Sequence, residues 1–317
     1  MTYLERLNSK VRSLTAVDLG LVDAELDLDE IDFERISSET DFEEDSIESW
    51  LIGIRRKKQA IFYGPPGTGK TYTAGKIAEE IVDGTGGMVD TVQFHQGYEY
   101  EDFIQGIRPS TDGSRLTYSL EDGSFKKFCE EARNRIGPCV LIIDEINRAD
   151  VSSVFGELMY LLEYRDENVR LAQDGAEADE DYEDVEGFEI PGNVYIIGTM
   201  NTADRSIALV DFALRRRFAF LGLEPDWTVL RRNFTASGVD ADTLVEVLDD
   251  VNEEIGNQNY EVGHTYFIGD SVQRRADVRN VWELEIVPYL EEYFVDQQDK
   301  VEQFEWDSIT DSASYGL

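Results

Sequence analysis

The sequence predicts an α/β fold, in which helices flank a parallel sheet and a small helical lid lies at the C-terminal end. Three observations predict it. A short apolar run at 60–63 leads into a glycine-rich loop and a helical segment. Apolar runs at 139–143 and 192–201 have the continuous hydrophobicity of strands that are buried on both faces of a parallel sheet. From Pro225 onward the apolar residues recur mainly at helical spacing.

The loop after the first strand fits the phosphate-binding pattern G-x-x-x-x-G-K-[ST]. Its glycines allow a tight turn whose N–H groups face one point, and the N-terminus of the helix expected at 71–82 adds partial positive charge. Lys70 is expected to reach the β- and γ-phosphates, and the Thr71 hydroxyl to bind Mg²⁺. A turn without a ligand is the alternative, but the match lies between a strand and a helix. The predicted nucleotide-binding residues are Gly64, Pro65, Pro66, Gly67, Thr68, Gly69, Lys70, Thr71 and Tyr72.

Polar side chains end the next two buried strands. Asp144 and Glu145 follow the run at 139–143, and ligands of parallel sheets bind at the carboxyl ends of strands. Asp144 is therefore placed to hold Mg²⁺ through its water shell, and Glu145 to polarise the attacking water. Asn201 can hydrogen-bond the γ-phosphate or that water. The stretch Asn201-Thr-Ala-Asp204 superficially matches a guanine-reading motif, N-K-x-D, but its place at a strand end leaves guanine recognition open.

Three consecutive arginines at 215–217 follow a predicted helix at 209–214. Such a dense basic cluster in so acidic a chain suggests contact with the γ-phosphate bound to a neighbouring subunit. A salt-bridged surface cluster is the alternative. Arg215 and Arg216 are the favoured catalytic candidates, and the order of roles among Arg215, Arg216 and Arg217 stays open.

The other elements are predicted from local pattern. Apolar residues at helical spacing predict an amphipathic helix at 151–164, and Pro109 is expected to stop a short helix that begins near Tyr100. Pro288 is a candidate kink in a lid helix. The remaining predictions are a helix at 47–54, a strand at 89–94, a small hairpin at 115–120 that ends in Glu-Asp-Gly123, a helix at 125–135, an acidic surface loop at 174–189, and an ordered turn or short strand at 262–267.

This reading divides the chain into three parts. Residues 1–45 form an acidic and mostly solvated N-terminal arm, 46–224 the α/β nucleotide-binding core, and 225–317 the helical lid with a C-terminal tail. One apolar stripe of the lid lies within 244–255 and the other within 282–293.

The charge of the chain is extreme. Its 317 residues include 67 acidic and 29 basic side chains, for a net charge of −38 that is spread along the whole chain. At about 1 M salt the Debye length is only about 3 Å, so self-repulsion is screened. We therefore expect a halophilic source. The charge excludes binding of nucleic acid by a broad basic surface. No apolar run is long enough to span a membrane, which predicts a cytoplasmic protein.

Five longer segments around these motifs are FHQGYEYEDFIQGIRP, LIIDEINRAD, IIGTMNTADRSIALVDFALRRRF, VGHTYF and WELEIVPYLEEYF. They resemble the corresponding segments of the McrB family of AAA+ proteins, and the resemblance runs from about residue 50 to 294. The resemblance identifies Asp144 and Glu145 as the Walker B pair and Asn201 as sensor 1. It also implies that Arg148 acts across a subunit boundary, together with Arg215 or Arg216.

The family's members are motor subunits of restriction systems specific for modified cytosine. The resemblance thus implies a ring, usually a hexamer, that hydrolyses GTP or ATP with Mg²⁺ and is coupled to a nuclease subunit. This chain would contact DNA indirectly or through the ring. No match to the family's DNA-recognition domain precedes the core. A MoxR-like ATPase that remodels a protein partner is the alternative, and a nucleotide-dependent assembly switch is a third reading. The base preference, the target and the ring size stay open.

Overall fold

A computed structural model describes residues 26–112, 115–172, 187–204 and 212–311. Its centre is a five-stranded sheet of β1 Gln59–Gly64, β2 Met88–Gln93, β5 Cys139–Asp144, β6 Val194–Asn201 and β7 Ala219–Gly222. The strands lie in the order β2-β5-β6-β1-β7, and every neighbouring pair is parallel. The predicted parallel α/β fold is therefore confirmed.

Helices cover both faces of this sheet because its central strands are apolar on both sides. The residues of β5 from Cys139 to Ile143 are all buried, and one apolar cluster lies on each face. The helices of this part are α1 Phe33–Thr40, α2 Glu44–Lys57, α3 Lys70–Val82, α4 Tyr100–Phe103, α5 Ser124–Ala132, α6 Val151–Phe155, α7 Leu158–Leu161 and α8 Phe212–Arg217.

The prediction that Pro109 stops a helix is wrong. The helix ends at Phe103, and Pro109 lies inside strand β3, Gln105–Asp112, which pairs with β4, Arg115–Asp122. A two-stranded ribbon has a free edge on each strand, so a residue without an N–H is tolerated there. The small hairpin predicted at 115–120 is also wrong, because that segment is the single strand β4 and its partner strand β3 precedes it.

The amphipathic helix predicted at 151–164 is also interrupted. It consists of α6 and α7, and between them Gly156 has a φ of 49°. A positive φ cannot continue a right-handed helix, and glycine adopts it at little steric cost. The buried apolar residues keep their helical spacing across this break, so the sequence pattern predicted one continuous helix.

The segment before residue 45 is not a mostly solvated arm over the part that the structure describes. Leu26, Ile36 and Phe42 are buried in the cluster that includes Ile77 of α3. The backbone N–H of Leu26 also donates a hydrogen bond of 2.9 Å to the Tyr195 hydroxyl. These few apolar side chains fix an otherwise acidic segment on the core. Residues 1–25 lie outside the described ranges. So do residues 174–186 of the predicted acidic loop and residues 209–211 of the helix predicted at 209–214.

The part after residue 225 is helical, as predicted, and has its own apolar cluster around the buried Trp282. Pro288 lies in the first turn of the helix Val287–Tyr293, directly after a π-helical turn, Trp282–Ile286, that joins two α-helices. No helix in the described ranges is long and apolar enough to cross a membrane. The helices are α9 Trp227–Asn233, α10 Ala241–Ile255, α11 Arg275–Val281, α12 Val287–Tyr293, α13 Gln298–Glu302 and α14 Trp306–Asp311.

Candidate nucleotide site

The glycine-rich loop runs from the end of β1 to the start of α3, as the motif requires. Gly67 and Gly69 have φ values of 74° and 81°, a region that favours glycine. A Cβ atom on Gly64 would lie 1.9 Å from the carbonyl oxygen of Leu223. The loop therefore depends on glycine for its conformation at two positions and for close packing at a third.

Lys70, the first residue of α3, folds back onto the loop. Its Nζ atom donates to the carbonyl oxygen of Pro65 at 2.6 Å and lies 3.4 Å from the Thr68 hydroxyl. Burial lowers the pKa of Lys70 to about 8, although the carboxylates of Glu145 and Asp144 oppose that shift. The ammonium group of Lys70 thus lies next to the loop, and no carboxylate in the described part of the chain forms an ion pair with it. An anionic ligand bound at the loop would stabilise its charged form.

Thr71, Asp144 and Thr199 form a short hydrogen-bonded chain at the carboxyl edge of the sheet. The Thr71 hydroxyl donates to Asp144 Oδ1 at 2.8 Å, and the Thr199 hydroxyl donates to the same oxygen at 2.6 Å. The Thr199 hydroxyl also accepts from the backbone N–H of Glu145 at 3.1 Å. Thr199 therefore holds the carboxylate of Asp144 and the backbone of Glu145. No sequence motif singles out Thr199, although it lies two residues before Asn201 and hence on the same face of β6.

Glu145 has a φ of 54°, an uncommon left-handed conformation for a residue with a side chain. Its carboxylate pairs with Arg148, whose Nε lies 3.3 Å from Glu145 Oε2. The guanidinium of Arg148 also contacts Asp204 at 3.2 Å. These carboxylates raise the pKa of Arg148. In the isolated chain Arg148 thus binds its own proposed catalytic glutamate, and its action across a subunit boundary stays a prediction.

Asn201 lies beside the loop because β6 pairs with β1, in a register that aligns it with Gly64. Its side-chain oxygen accepts from the N–H of Ala203 at 3.2 Å. That bond fixes the amide plane. The Asn201 side chain is half-buried and also lines a cavity that Pro66 of the loop borders. The predicted sensor position is thus brought to the phosphate loop.

The three arginines lie on α8, and their described contacts are with the surrounding core. Arg215 is exposed and its guanidinium lies over the Phe220 ring, 5.4 Å from the centroid. Arg216 and Arg217 both pair with Glu163. In the isolated chain Arg216 and Arg217 thus form the salt-bridged cluster that was the alternative prediction, while Arg215 stacks on an aromatic ring.

The lid contacts the phosphate loop through the segment VGHTYF, whose sequence alone indicated no such contact. The N–H groups of Gly263 and Thr265 donate to the carbonyl oxygens of Pro66 and Gly67, at 3.0 and 2.8 Å. A Cβ on Gly263 would lie 2.0 Å from the Gly67 oxygen. Only glycine permits this approach.

His264, next to these donors, is buried and serves the fold. Its Nδ1 atom accepts from the backbone N–H of Asp226 at 3.0 Å, and the Phe42 ring packs on its edge. Burial lowers the pKa of His264 to about 4, so the ring is neutral near pH 7. The histidine therefore joins the lid to the core without carrying charge.

A cavity of about 370 Å³ lies between the end of α1, the start of α3 and the lid. Tyr72 and Asp41 are among its lining residues, and the Tyr72 hydroxyl donates to the Glu39 carbonyl oxygen at 3.1 Å. Asp41 accepts from the side-chain amide of Asn233 at 2.6 Å. The cavity is bordered by Gly69 of the loop and is large enough for a heterocyclic base.

The sequence profile of the AAA domain, dynein-related subfamily, matches residues 59–218, which is half of the chain. The chain belongs to the AAA family. The profile of the McrB α-helical lid domain matches residues 243–302, so an AAA core of the McrB type carries the helical lid described above. A P-loop nucleoside triphosphatase fold follows from this membership and from the phosphate loop.

The chain is similar to two curated proteins that are restriction components. The chain is 42% identical over 282 residues to the "Type IV methyl-directed restriction enzyme EcoKMcrB subunit" of Escherichia coli (strain K12), which covers 83% of the chain and 59% of the relative. It is 30% identical over 213 residues to the "Type II restriction enzyme BsuMI component YdiS" of Bacillus subtilis (strain 168), covering 56% of the chain and 59% of that relative. The chain thus spans about three fifths of the length of each.

Proposed function

We propose that this protein is a Mg²⁺-dependent nucleoside triphosphatase that assembles into a ring, usually a hexamer in this family, and drives a partner nuclease in the restriction of modified DNA. The observation that carries the proposal is the convergence of Lys70, Thr71, Asp144 and Glu145 on one edge of the sheet. The likeness to restriction components supports the DNA target and the nuclease partner.

The residues present fit a magnesium site. Thr71 and Asp144 offer oxygen donors 2.8 Å apart, and Mg²⁺ prefers oxygen ligands. When bound with the nucleotide, the ion would neutralise part of the phosphate charge. Lys70 binds the β- and γ-phosphates after leaving the Pro65 carbonyl, and its ammonium group is then fully charged.

Glu145 orients the attacking water for in-line displacement at the γ-phosphate, with Asn201 as second hydrogen-bonding group. In the isolated chain the Glu145 carboxylate is paired with Arg148, so turnover requires that pair to open. An arginine from a neighbouring subunit, Arg215 or Arg216, stabilises the charge that develops in the transition state. Such a group contributes about 10³ to 10⁵ in rate in related reactions.

The base occupies the cavity beside Tyr72, and Asp41 gives that cavity a preference for guanine. A carboxylate accepts hydrogen bonds but donates none. Guanine presents two adjacent donors, N1–H and the N2 amino group, whereas adenine presents its N6 amino group beside the acceptor N1. Asp41 has a φ of 61°, and Asn233 holds its carboxylate. GTP is therefore the favoured substrate, and Asp41→Asn should narrow the preference for GTP over ATP.

Recovery of methylated plasmid DNA tests the proposed restriction role. The chain is expressed together with the product of the open reading frame next to its gene, and transformation by methylated and unmethylated plasmid is compared. Loss of methylated plasmid with the wild type but not with Glu145→Gln would support the proposal. Equal recovery of both plasmids, together with hydrolysis that responds to a protein partner, would instead indicate a remodelling ATPase.

A further inference from the structure

Thr202 follows the sensor position Asn201 and forms hydrogen bonds with two other parts of the molecule. Its backbone N–H donates to the carbonyl oxygen of Gly64, at the start of the phosphate loop, at 2.9 Å. Its hydroxyl donates to the carbonyl oxygen of Asn259, in the lid, also at 2.9 Å. The Thr202 side chain is only 4% exposed. One buried residue therefore connects the end of β6, the phosphate loop and the lid.

The acceptor of this hydroxyl belongs to an ordered turn of the lid. The turn is Gln258–Tyr260, and we call it the lid turn. On one side, the backbone N–H of Asn259 donates to Asn257 Oδ1 at 3.1 Å. On the other, the Tyr260 carbonyl oxygen accepts from the Tyr289 hydroxyl of α12 at 2.6 Å. A displacement of the Asn259 carbonyl is therefore expected to displace the lid turn, and α12 with it.

The backbone around Thr202 is also bonded to the sensor side chain. The side-chain oxygen of Asn201 accepts from the N–H of Ala203 at 3.2 Å, so the amide of Asn201 and the backbone on either side of Thr202 move together. Threonine is β-branched, and its χ1 angle is restricted. Rotation of the Thr202 side chain therefore cannot compensate for a shift of the backbone, and the hydroxyl follows that shift.

We propose that Thr202 is a positioning residue for hydrolysis, because its hydroxyl fixes the lid to the sensor end of β6. The inference rests on the proposed function and adds the residue that carries the loss of the γ-phosphate from Asn201 to the lid. With the γ-phosphate bound, Asn201 and Thr202 are held in place, and the hydrogen bond to Asn259 fixes the lid turn. After phosphate release the backbone at 201–203 relaxes, and the lid turn moves with the Thr202 hydroxyl.

The contacts between the lid and the phosphate loop differ from the Thr202 bond in where they end. The N–H groups of Gly263 and Thr265 donate to carbonyl oxygens of the loop itself, so they hold the lid on the loop without involving the sensor. The Thr202 bond starts one residue after the side chain that is proposed to contact the γ-phosphate. It also joins two neutral groups, so salt does not screen it as it screens an exposed ion pair. Thr202 is thus placed to let the lid distinguish a bound triphosphate from a diphosphate.

Energy transfer between two fluorophores measures the position of the lid. Ile136→Cys labels the core and Leu284→Cys labels the lid, because these side chains are 51% and 73% exposed. Both native cysteines are buried, and burial raises the pKa of Cys139 to about 11, so they react slowly with the dyes. The labelled subunits also carry Glu145→Gln, so that GTP is retained, and they are mixed with excess unlabelled subunits so that transfer occurs within one chain. Transfer is compared between the GTP-bound and the GDP-bound protein.

We expect the transfer efficiency to differ between GTP and GDP, and Thr202→Val to lose at least half of that difference. Valine has nearly the size of threonine but lacks the hydroxyl, whereas the matched control, Thr202→Ser, keeps the hydroxyl and should keep the difference. The full difference in Thr202→Val would overturn the proposal, as would the absence of any difference in the parent protein.

A second variant tests the same contact from the lid side. Asn257 is exposed, so Asn257→Ala should fold, and it removes the side chain that holds the N–H of Asn259. The lid turn is then looser, and the difference between GTP and GDP should again be reduced. If Thr202→Val does not fold, the full difference in Asn257→Ala would overturn the proposal.

Phosphate release by subunits with native Glu145 separates this proposal from the proposed function. Thr202→Val should lower kcat about fivefold, as for the loss of one hydrogen bond between neutral groups. The KM for GTP should change less, because the groups that bind the phosphates are untouched. A kcat equal to that of the wild type would contradict the role of Thr202 alone. Wild-type protein that does not hydrolyse GTP, but whose lid still responds to it, would contradict only the proposed function.

Discussion

The hydroxyl of Thr199 donates a hydrogen bond of 2.6 Å to the Asp144 carboxylate. The same hydroxyl accepts from the N–H of Glu145, so one buried side chain holds both members of the acidic pair. A neutral threonine on β6 thereby orients the two residues that the mechanism assigns to the metal and to the water.

Thr199→Val should lower turnover by about tenfold or more, because a hydrogen bond to a charged group is worth about 1.5–3 kcal/mol. Nucleotide affinity should change little, since the loop is untouched. Steady-state kcat and a separate binding titration measure the two effects. Thr199→Ser, which keeps the hydroxyl, is the control. Unchanged turnover in the valine variant would remove Thr199 from this role.

Nucleotide binding should take up protons at alkaline pH. The pKa of Lys70 is lowered to about 8 in the free protein, so above pH 8 the amine is mostly neutral, and bound phosphates favour the ammonium form. Affinity should therefore fall as pH rises past 8. Calorimetry at pH 8.5 in buffers of different ionisation enthalpy measures the uptake. Lys70→Arg, which stays charged, should show less uptake at the same pH. Equal uptake by both proteins would contradict the assignment.

The lid contact predicts a specific glycine effect. Gly263→Ala should weaken nucleotide binding by tenfold or more, because its Cβ would collide with the Gly67 carbonyl oxygen and displace the loop. Gly75→Ala is the matched control. Gly75 lies in α3, just beyond the loop, and nothing is within 4 Å of the position of its Cβ. Fluorescence titration with a labelled nucleotide compares the two. Equal affinities would show that the lid contact is dispensable.

His264 should make the protein less stable in mild acid. Its pKa is about 4 when folded and 6.5 ordinarily, so between these values the unfolded chain binds more protons. Stability from this group is present above pH 6.5 and is lost as pH falls toward 4, by up to about 3 kcal/mol. His264→Asn keeps an acceptor for the Asp226 N–H but does not titrate. Denaturant unfolding measures the free energy of unfolding at pH 7 and at pH 5, and the difference between the two should be smaller in the variant than in the wild type. The same difference in both proteins would show that His264 is not the cause of the loss of stability in acid.

The sequence predicted the sheet, the loop and the acidic pair because these depend on local features. A buried strand followed by a fixed pattern determines where Lys70 and Asp144 lie. The missed features depend on contacts between distant segments. Thr199 looks like an ordinary strand residue, and Gly263 becomes informative only when the Gly67 carbonyl is placed against it.

The segment around Phe42 shows the same limit. Its composition is acidic, and three buried apolar side chains were too few to predict that it covers the core. Gly156 is the converse case. One glycine with a positive φ divides a helix whose hydrophobic period continues across the break. Local pattern thus predicted the elements, while the closing of the site by residues from other segments required the structure.

Phosphate release from the purified protein tests the central claim most directly. The assay uses multimolar KCl with Mg²⁺ and compares GTP with ATP, and wild type with Glu145→Gln. The account predicts release that is faster with GTP and is lost in Glu145→Gln, while the variant still binds nucleotide. Release by Glu145→Gln at the wild-type rate would contradict the account, because hydrolysis would then not depend on the carboxylate placed at the phosphate site.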